Sequence, residues 1–155
     1  MEKPVTLKIL RLKSEHEMDV PLPRCMTSNS AGMDICAAIE QNIILEKGEI
    51  QLIPTGFAMA LPQGYEAQIR PRSGLAVKHG ITVINSPGTI DSDYRGEVMI
   101  GIINLGKKGY MIHRGDRIAQ MVIKKVSAVN VVTVTQLNET ERNSGGFGHT
   151  GLSDG

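Results

Sequence analysis

Tryptophan is absent from this 155-residue chain, and two Phe and three Tyr bring aromatic content to only 3%. A chain so poor in flat rings has no platform on which successive bases of a single strand stack, so each aromatic has to be weighed alone. Cysteine is nearly as rare. Cys25 and Cys36 are too few for a disulfide framework or a zinc site, and the four histidines show no ligand spacing. This usage suits a reducing cytoplasm. Charge of one sign is also missing: 17 Lys and Arg against 16 Asp and Glu leave +1, which gives no general pull toward nucleic acid or an anionic membrane. Any anion site must therefore be local. No apolar run approaches membrane-spanning length, and Met1-Glu2-Lys3-Pro4 places an acid and a proline where a secretory signal would be apolar. A soluble, unprocessed cytoplasmic protein is expected.

What is present is a rhythm of short apolar runs and glycine turns. The length fits one domain with a real core. Val5 to Leu12 places Val5, Leu7 and Ile9 on one face of an opening strand. A charged loop with Glu15, Glu17 and Asp19 follows, and Pro21 and Pro23 keep Met18 to Arg24 extended. Short strands are predicted at Met33 to Ile39, Ile43 to Leu45, Glu49 to Pro54 and Phe57 to Leu61, with Thr55-Gly56 as a turn between the last two. Tyr65 to Arg70 alternates cleanly, as a half-buried strand requires. Ser73 to Lys78 reads as the only helix, with Ser73 as its N-cap. Val98 to Ile103, Ile118 to Ile123 and part of Val129 to Val134 read as strands covered on both faces, by a sandwich core or a subunit interface. The pattern predicts an all-β jelly-roll barrel or sandwich over residues 1–137. Residues 138–155, with no apolar period and five glycines, are expected to form a mobile arm.

The stretch from Asn85 to Glu97 lies between two apolar runs and reads as a β-hairpin, with bends at Pro87-Gly88 and Arg95-Gly96. Between the bends stand Asp91, Asp93 and Tyr94. Alone, these residues fit a solvated tip as well as a site. Pro71-Arg72-Ser73-Gly74 fits a plain turn and cap, or an anion site built from a helix N-terminus, a hydroxyl and a guanidinium. Gln120, polar among apolar neighbours, is a satisfied core amide or a ligand contact. In the tail, Phe147 between Gly146 and Gly148 offers a face for a base beside backbone N–H groups open to phosphate, or does nothing.

Taken together, Ala31-Gly32-Met33-Asp34-Ile35, Pro71 to Ala76, Gly88 to Glu97, Gly115 to Gln120 and Arg142 to Gly151 resemble, in order, the five motifs of the trimeric dUTPase family. The resemblance spans roughly residues 5 to 151. It implies a jelly-roll homotrimer with active sites shared between subunits and Mg²⁺-dependent hydrolysis of dUTP to dUMP and pyrophosphate, which limits uracil incorporation into DNA and supplies dUMP for dTMP synthesis. On this resemblance, Asp91 orients and deprotonates the attacking water, and Tyr94 packs against C2′ of the deoxyribose. Asn85, with Gly88, Thr89, Ile90 and Met99, surrounds uracil. Arg72, Ser73 and Gly74 hold the phosphates, with Gln120 near the α-phosphate, while Asp34 anchors Mg²⁺ through water. Phe147 and Gly148 close over uracil from a neighbouring subunit, with Arg142, His149 and Thr150 on the terminal phosphates. Asn143 and His149 depart from the family pattern, where glycine and serine or threonine are common.

Two other readings are open to a sequence of this shape. A dCTP deaminase of related fold would carry a catalytic glutamate on the strand leaving the hairpin, where this chain has Gly101. A non-catalytic dUTP-binding protein would be expected to lose Asp91 or the arm, and both are here.

Overall fold

The computed structural model describes residues 4–12 and 19–146. Eleven strands and one helix follow in order: β1 Lys8–Arg11, β2 Arg24–Cys25, β3 Met33–Cys36, β4 Ile43–Leu45, β5 Ile50–Ala60, β6 Tyr65–Arg70, α1 Ser73–His79, β7 Ile81–Val83, β8 Gly88–Ile90, β9 Glu97–Asn104, β10 Tyr110–Ile112 and β11 Arg117–Lys125. They form a four-stranded sheet β1-β5-β9-β7, a five-stranded sheet β2-β3-β11-β6-β8 and a two-stranded sheet β10-β4. Every pairing is antiparallel.

This is the all-β jelly-roll class with one short helix that the sequence predicts. Its core is aliphatic. Ile53, Ile100 and Ile102 from the first large sheet meet Ile35, Ile69 and Met121 from the second, with Phe57 as the one large ring fully buried among them. The alternation read in Tyr65 to Arg70 is realised at Ala67 and Ile69, which are buried between half-exposed neighbours, while Tyr65 at the start of the strand is itself half-exposed.

Three expectations are corrected. Thr55-Gly56 is not a turn, because β5 runs straight through it with a local irregularity opposite β9. The Thr55 hydroxyl donates to the Val98 carbonyl at 2.5 Å and the Gly56 N–H to the Glu97 carboxylate at 2.8 Å, so the backbone is satisfied without reversing. Gly56 has φ +73, a conformation glycine adopts without strain. The helix is capped by Arg72, not Ser73: Arg72 is extended (φ −92, ψ 128), its carbonyl accepts from the Ala76 N–H, and Ser73 is the first helical residue. Of the two covers read for β9, the sandwich core supplies one: Val98, Ile100, Ile102 and Asn104 are buried, while Met99 is exposed and Gly101 and Ile103 are half-exposed on the other face within one copy. β11 is covered on both faces as read, with the adjacent pairs Ile118 and Ala119 and Met121 and Val122 all buried. Finally, Val129 to Val134 forms no strand, and its valines stand 57 to 88% exposed, since no sheet edge of the same chain receives them.

The hairpin of β7 and β9 forms as read, with Val83 opposite Ile102. Its loop does something the sequence did not suggest. Residues 88–90 cross to the other sheet and pair with β6, Gly88 opposite Ile69 and Ile90 opposite Ala67. The loop is thereby fixed to both layers.

Candidate active site

One group of predicted residues gathers on the five-stranded sheet. Arg24, Asp34, Gln120 and Arg70 are successive partners in register across β2, β3, β11 and β6, and residues in register share a face. Asp34 is the pivot of this row. Its Oδ1 accepts from Arg72 Nε at 3.1 Å and its Oδ2 from Arg117 Nη1 at 3.2 Å, while Arg72 Nη1 also donates to the Arg117 carbonyl at 3.1 Å. The Asp34 side chain is only 15% exposed, so removing either arginine would leave a largely buried carboxylate short of a partner. Four guanidiniums, those of Arg24, Arg70, Arg72 and Arg117, lie along a row with one carboxylate. That is a local positive field on a chain of net charge +1.

Gln120 is half-buried; its Nε2 donates to the Pro71 carbonyl at 2.9 Å, just before the helix. Its Oε1 lies over Gly32, where a Cβ would collide with it. Both readings of Gln120 meet here, since one end of the amide is satisfied and the other has only glycine beneath it. Ser73 and Gly74 are exposed at the start of α1. A depression of about 340 Å³ opens beside Asp34, lined also by Arg24, Met26, Cys36 and Arg117. Burial, helped by the Asp34 charge, pushes the Cys36 thiol above its ordinary value despite the arginines nearby.

The second group belongs to the hairpin. Thr89, Ile90, Asp91, Tyr94, Glu97 and Met99 line a recess of about 230 Å³. The tip braces itself: the Tyr94 N–H donates to the Asp91 carbonyl at 3.2 Å, and Arg95 Nη1 donates to the Ser92 and Tyr94 carbonyls at 2.7 and 2.8 Å. The Tyr94 hydroxyl donates to the Glu97 carbonyl at 2.9 Å, and its ring is 45% exposed. Asn85 sits at the root of the loop. Its Nδ2 would be 3.3 Å from a Cβ on Gly88, and its Oδ1 3.9 Å from one on Gly101. Since Met99 and Gly101 share a face of β9, Asn85 and Met99 look onto the same side of the strand.

The two groups do not meet within one chain. Ile90 pairs with Ala67, so Asp91 lies level with Glu66, six residues and roughly 20 Å along the strand from Arg72.

Arg142 is exposed in a turn of its own, its Nε donating to the Gly145 carbonyl at 2.8 Å. Asn143 adopts φ +43 there, which explains why an amide stands where glycine is common. Its Oδ1 accepts from the Thr140 N–H at 2.9 Å and its own N–H donates to the Thr140 hydroxyl at 3.0 Å. Phe147, Gly148, His149 and Thr150 lie outside the described residues.

Sequence reasoning missed Arg117 and Arg24. Arg117 lay inside the motif Gly115 to Gln120 and was passed over; Arg24 carried no signal, because only the register with Asp34 brings it in. Among the described residues no three His, Cys, Asp or Glu side chains are grouped to hold a metal. One carboxylate, Asp34, is the available donor. That suits an ion which keeps most of its waters and takes its other oxygens from substrate phosphates.

Comparison with known proteins follows the same lines. The dUTPase family model matches residues 18–151. A deoxyuridine 5'-triphosphate nucleotidohydrolase of Desulfotalea psychrophila is 54% identical over 98% of this chain and 100% of its own length. One of Rickettsia canadensis is 63% identical over 84% of this chain and 88% of its own. Among solved structures, a mutant dUTPase of Staphylococcus bacteriophage 80alpha with dUpNHpp has a TM-score of 0.82 at 26% identity, covering 95% of this chain and 99% of that one. A mutant dUTPase of S. aureus phage phi11, described with a structural Mg(II) ion, has a TM-score of 0.72 at 26% identity, covering 86% and 99%. With its sheets, its motifs and its relatives agreeing along nearly the whole length, the chain belongs to the dUTPase family.

Proposed function

We propose that this protein hydrolyses dUTP to dUMP and pyrophosphate, in a site completed by more than one copy of the chain. The observation that carries the proposal is a division: Arg72, paired with Asp34 in an arginine cluster suited to a triphosphate, stands six residues and roughly 20 Å of extended chain from Asp91, which lines a recess with Tyr94. The family and the dUTP analogue bound by the phage relative identify the nucleotide.

In the joined site, Arg72, Ser73 and Gly74 hold the phosphate chain, and Asp34 keeps Arg72 aimed by occupying its Nε. Asp91 orients a water in line with the α-phosphorus and accepts its proton. The new P–O bond forms as the bond from that phosphorus to the bridging oxygen breaks, and pyrophosphate leaves with the electron pair. Most of the effect of Asp91 is positioning of that water. Gln120 donates to the α-phosphate through the second N–H of its Nε2, the first being taken by the Pro71 carbonyl, and its Oε1 accepts from the attacking water. Asn85 offers uracil one donor and one acceptor in a plane, with Gly88, Thr89, Ile90 and Met99 around the ring; cytosine presents the opposite edge and is rejected. Tyr94 fills the space a ribose 2′-hydroxyl would need. Asp34 is the residue that would hold Mg²⁺ through water, and the ion when bound offsets charge on the phosphates.

Residues 138–155 act as an arm closing from a neighbouring copy, with Phe147 and Gly148 over uracil and Arg142, His149 and Thr150 on the terminal phosphates. A cytoplasmic homotrimer is the assembly we infer. It is supported by the separation of the two groups and by the outward apolar face where Ile50 pairs with Ile103 and Leu52 with Gly101. Deamination is disfavoured by position 101, where glycine can move no proton and Ile84 Cγ2 would stand 3.0 Å from any added Cβ.

The test is pyrophosphate release from dUTP, dCTP, dTTP and UTP with Mg²⁺, beside an ammonia assay. Release from dUTP alone is expected, and ammonia from dCTP would overturn the reading. Asp91→Asn is expected to bind dUTP normally and turn over at least ~100-fold more slowly, which separates catalysis from a merely binding role.

A further inference from the structure

Three side chains assigned to substrate each rest on a glycine: Gln120 on Gly32, Asn85 on Gly88 and Tyr94 on Gly96. The third contact is the tightest and the most specific in its reach. A Cβ at position 96 would strike the Tyr94 hydroxyl oxygen and stand 2.6 Å from Cζ and 3.0 Å from Cε2. The atoms met are the far edge of the ring, not its root.

The backbone at Gly96 does not itself require glycine, since its φ lies outside the left-handed range. The glycine is needed for what lies over it. With no side chain at 96, the ring folds back across the loop until its hydroxyl reaches the Glu97 carbonyl at 2.9 Å. The root of the ring is held independently, because Arg95 Nη1 donates to the Tyr94 carbonyl at 2.8 Å and the Tyr94 N–H to the Asp91 carbonyl. The ring thus has its base fixed by the loop and its tip fixed by the pair Gly96 and Glu97. It forms one wall of the recess that Asp91 and Met99 also line.

We propose that Gly96 is a positioning residue for sugar selection: by seating the Tyr94 ring against the backbone of residues 96 and 97, it sets the distance between that ring and C2′ of the nucleotide. The proposal rests on the reading of Tyr94 as the sugar filter. An alanine at 96 swings the tip of the ring out of its seat, breaks the bond to Glu97 and changes the space left for a 2′-hydroxyl. The base-reading groups are untouched, because Asn85 is seated on Gly88 at the other end of the loop. Sugar discrimination should therefore fall while base discrimination holds.

The experiment measures kcat/KM for dUTP, UTP and dTTP in the wild-type protein, Gly96→Ala and Tyr94→Phe, with thermal melting of each. Gly96→Ala is expected to lower the dUTP-to-UTP ratio by about tenfold, the size of effect that misplacing one contact produces, and to leave the dUTP-to-dTTP ratio unchanged. Tyr94→Phe keeps the ring and the glycine and loses only the bond to the Glu97 carbonyl, so its ratio should fall in the same direction by a smaller factor. Should Gly96→Ala fail to fold, Tyr94→Phe decides. Unchanged dUTP-to-UTP ratios in folded variants would overturn the role of Gly96 and leave the dUTPase reading standing, and an equal fall in both ratios would also overturn it. Wild-type protein that turns over UTP as readily as dUTP would instead remove the sugar-filter reading itself.

Discussion

Two inactive variants, mixed, are expected to restore about a quarter of the wild-type activity. Arg72→Ala removes the guanidinium paired with Asp34 at 3.1 Å, and Asp91→Asn removes the carboxylate proposed above as the base in the hairpin recess. Each alone should retain under about 1% of activity, because losing one charged contact to the transition state costs on the order of 10²- to 10³-fold. Asp91 lies level with Glu66, six residues and roughly 20 Å of extended chain from Arg72, so in the proposed assembly a working site takes its arginine from one copy and its aspartate from the next. In trimers assembled at random from equal amounts of the two variants, half the copies carry the intact arginine and half the intact aspartate. A site drawing on two adjacent copies is then complete about one time in four. The assay is dUTP turnover after joint unfolding and refolding, with wild type mixed equally with the double variant as control. Between-copy sites put the control at about one quarter as well. No recovery in the first mixture with about one half in the control would refute the argument, since that is the result for a site contained in one chain.

Other expectations concern both the site and the scaffold. Asp91→Asn should keep its affinity for dUTP while losing turnover, checked by calorimetry beside single-turnover kinetics. Gly96→Ala should relax sugar selection without relaxing base selection, by the rate ratios described above. Asn104 is fully buried, donates through Nδ2 to the Leu45 and Lys108 carbonyls and accepts from the Gly106 N–H, all between 2.8 and 2.9 Å. Asn104→Ala strands these groups at about 1 kcal/mol or more each, so the thermal midpoint should drop by about 10 °C, and an unchanged melting curve would contradict the bonding. Thiol chemistry should distinguish the two cysteines. Burial raises the Cys36 pKa, so at pH 8 little of it is the reactive thiolate, whereas Cys25 is exposed. Maleimide should therefore modify Cys25 first in the native protein and reach Cys36 only on unfolding, which peptide mapping reads directly.

Much of the scaffold was legible because its signals are local. Tyr65 to Arg70 shows its two faces in six residues, and the apolar runs flanking Asn85 to Glu97 announce β7 and β9. Ser73 was misplaced by one position, since a serine before an apolar run resembles a cap whether or not its backbone is extended. The valines from 129 to 134 misled for a different reason. β-branched residues suit a strand, but a strand needs an edge to join, and this chain offers them none. What stayed hidden in the site was every contact made across the sequence. Asp34 meets Arg72 and Arg117 over separations of 38 and 83 residues. The pairing of Gly88 with Ile69 moves the loop to a second sheet, and Gly96 looks like a bend until the Tyr94 ring is seen above it.

The exposed valines carry a consequence for how the protein comes into being. Val129, Val131, Val132, Val134 and Leu137 are all more than half exposed, in a segment that pairs with nothing in its own chain. In the proposed trimer, a newly made copy holds this apolar strip in water until another copy arrives, and the same strip is attractive to any unfinished chain nearby. Synthesis that is too sparse leaves copies waiting, and synthesis that is too crowded invites wrong company. The yield of sound enzyme is thus tied to how quickly sister chains meet, a property of supply that no single copy possesses.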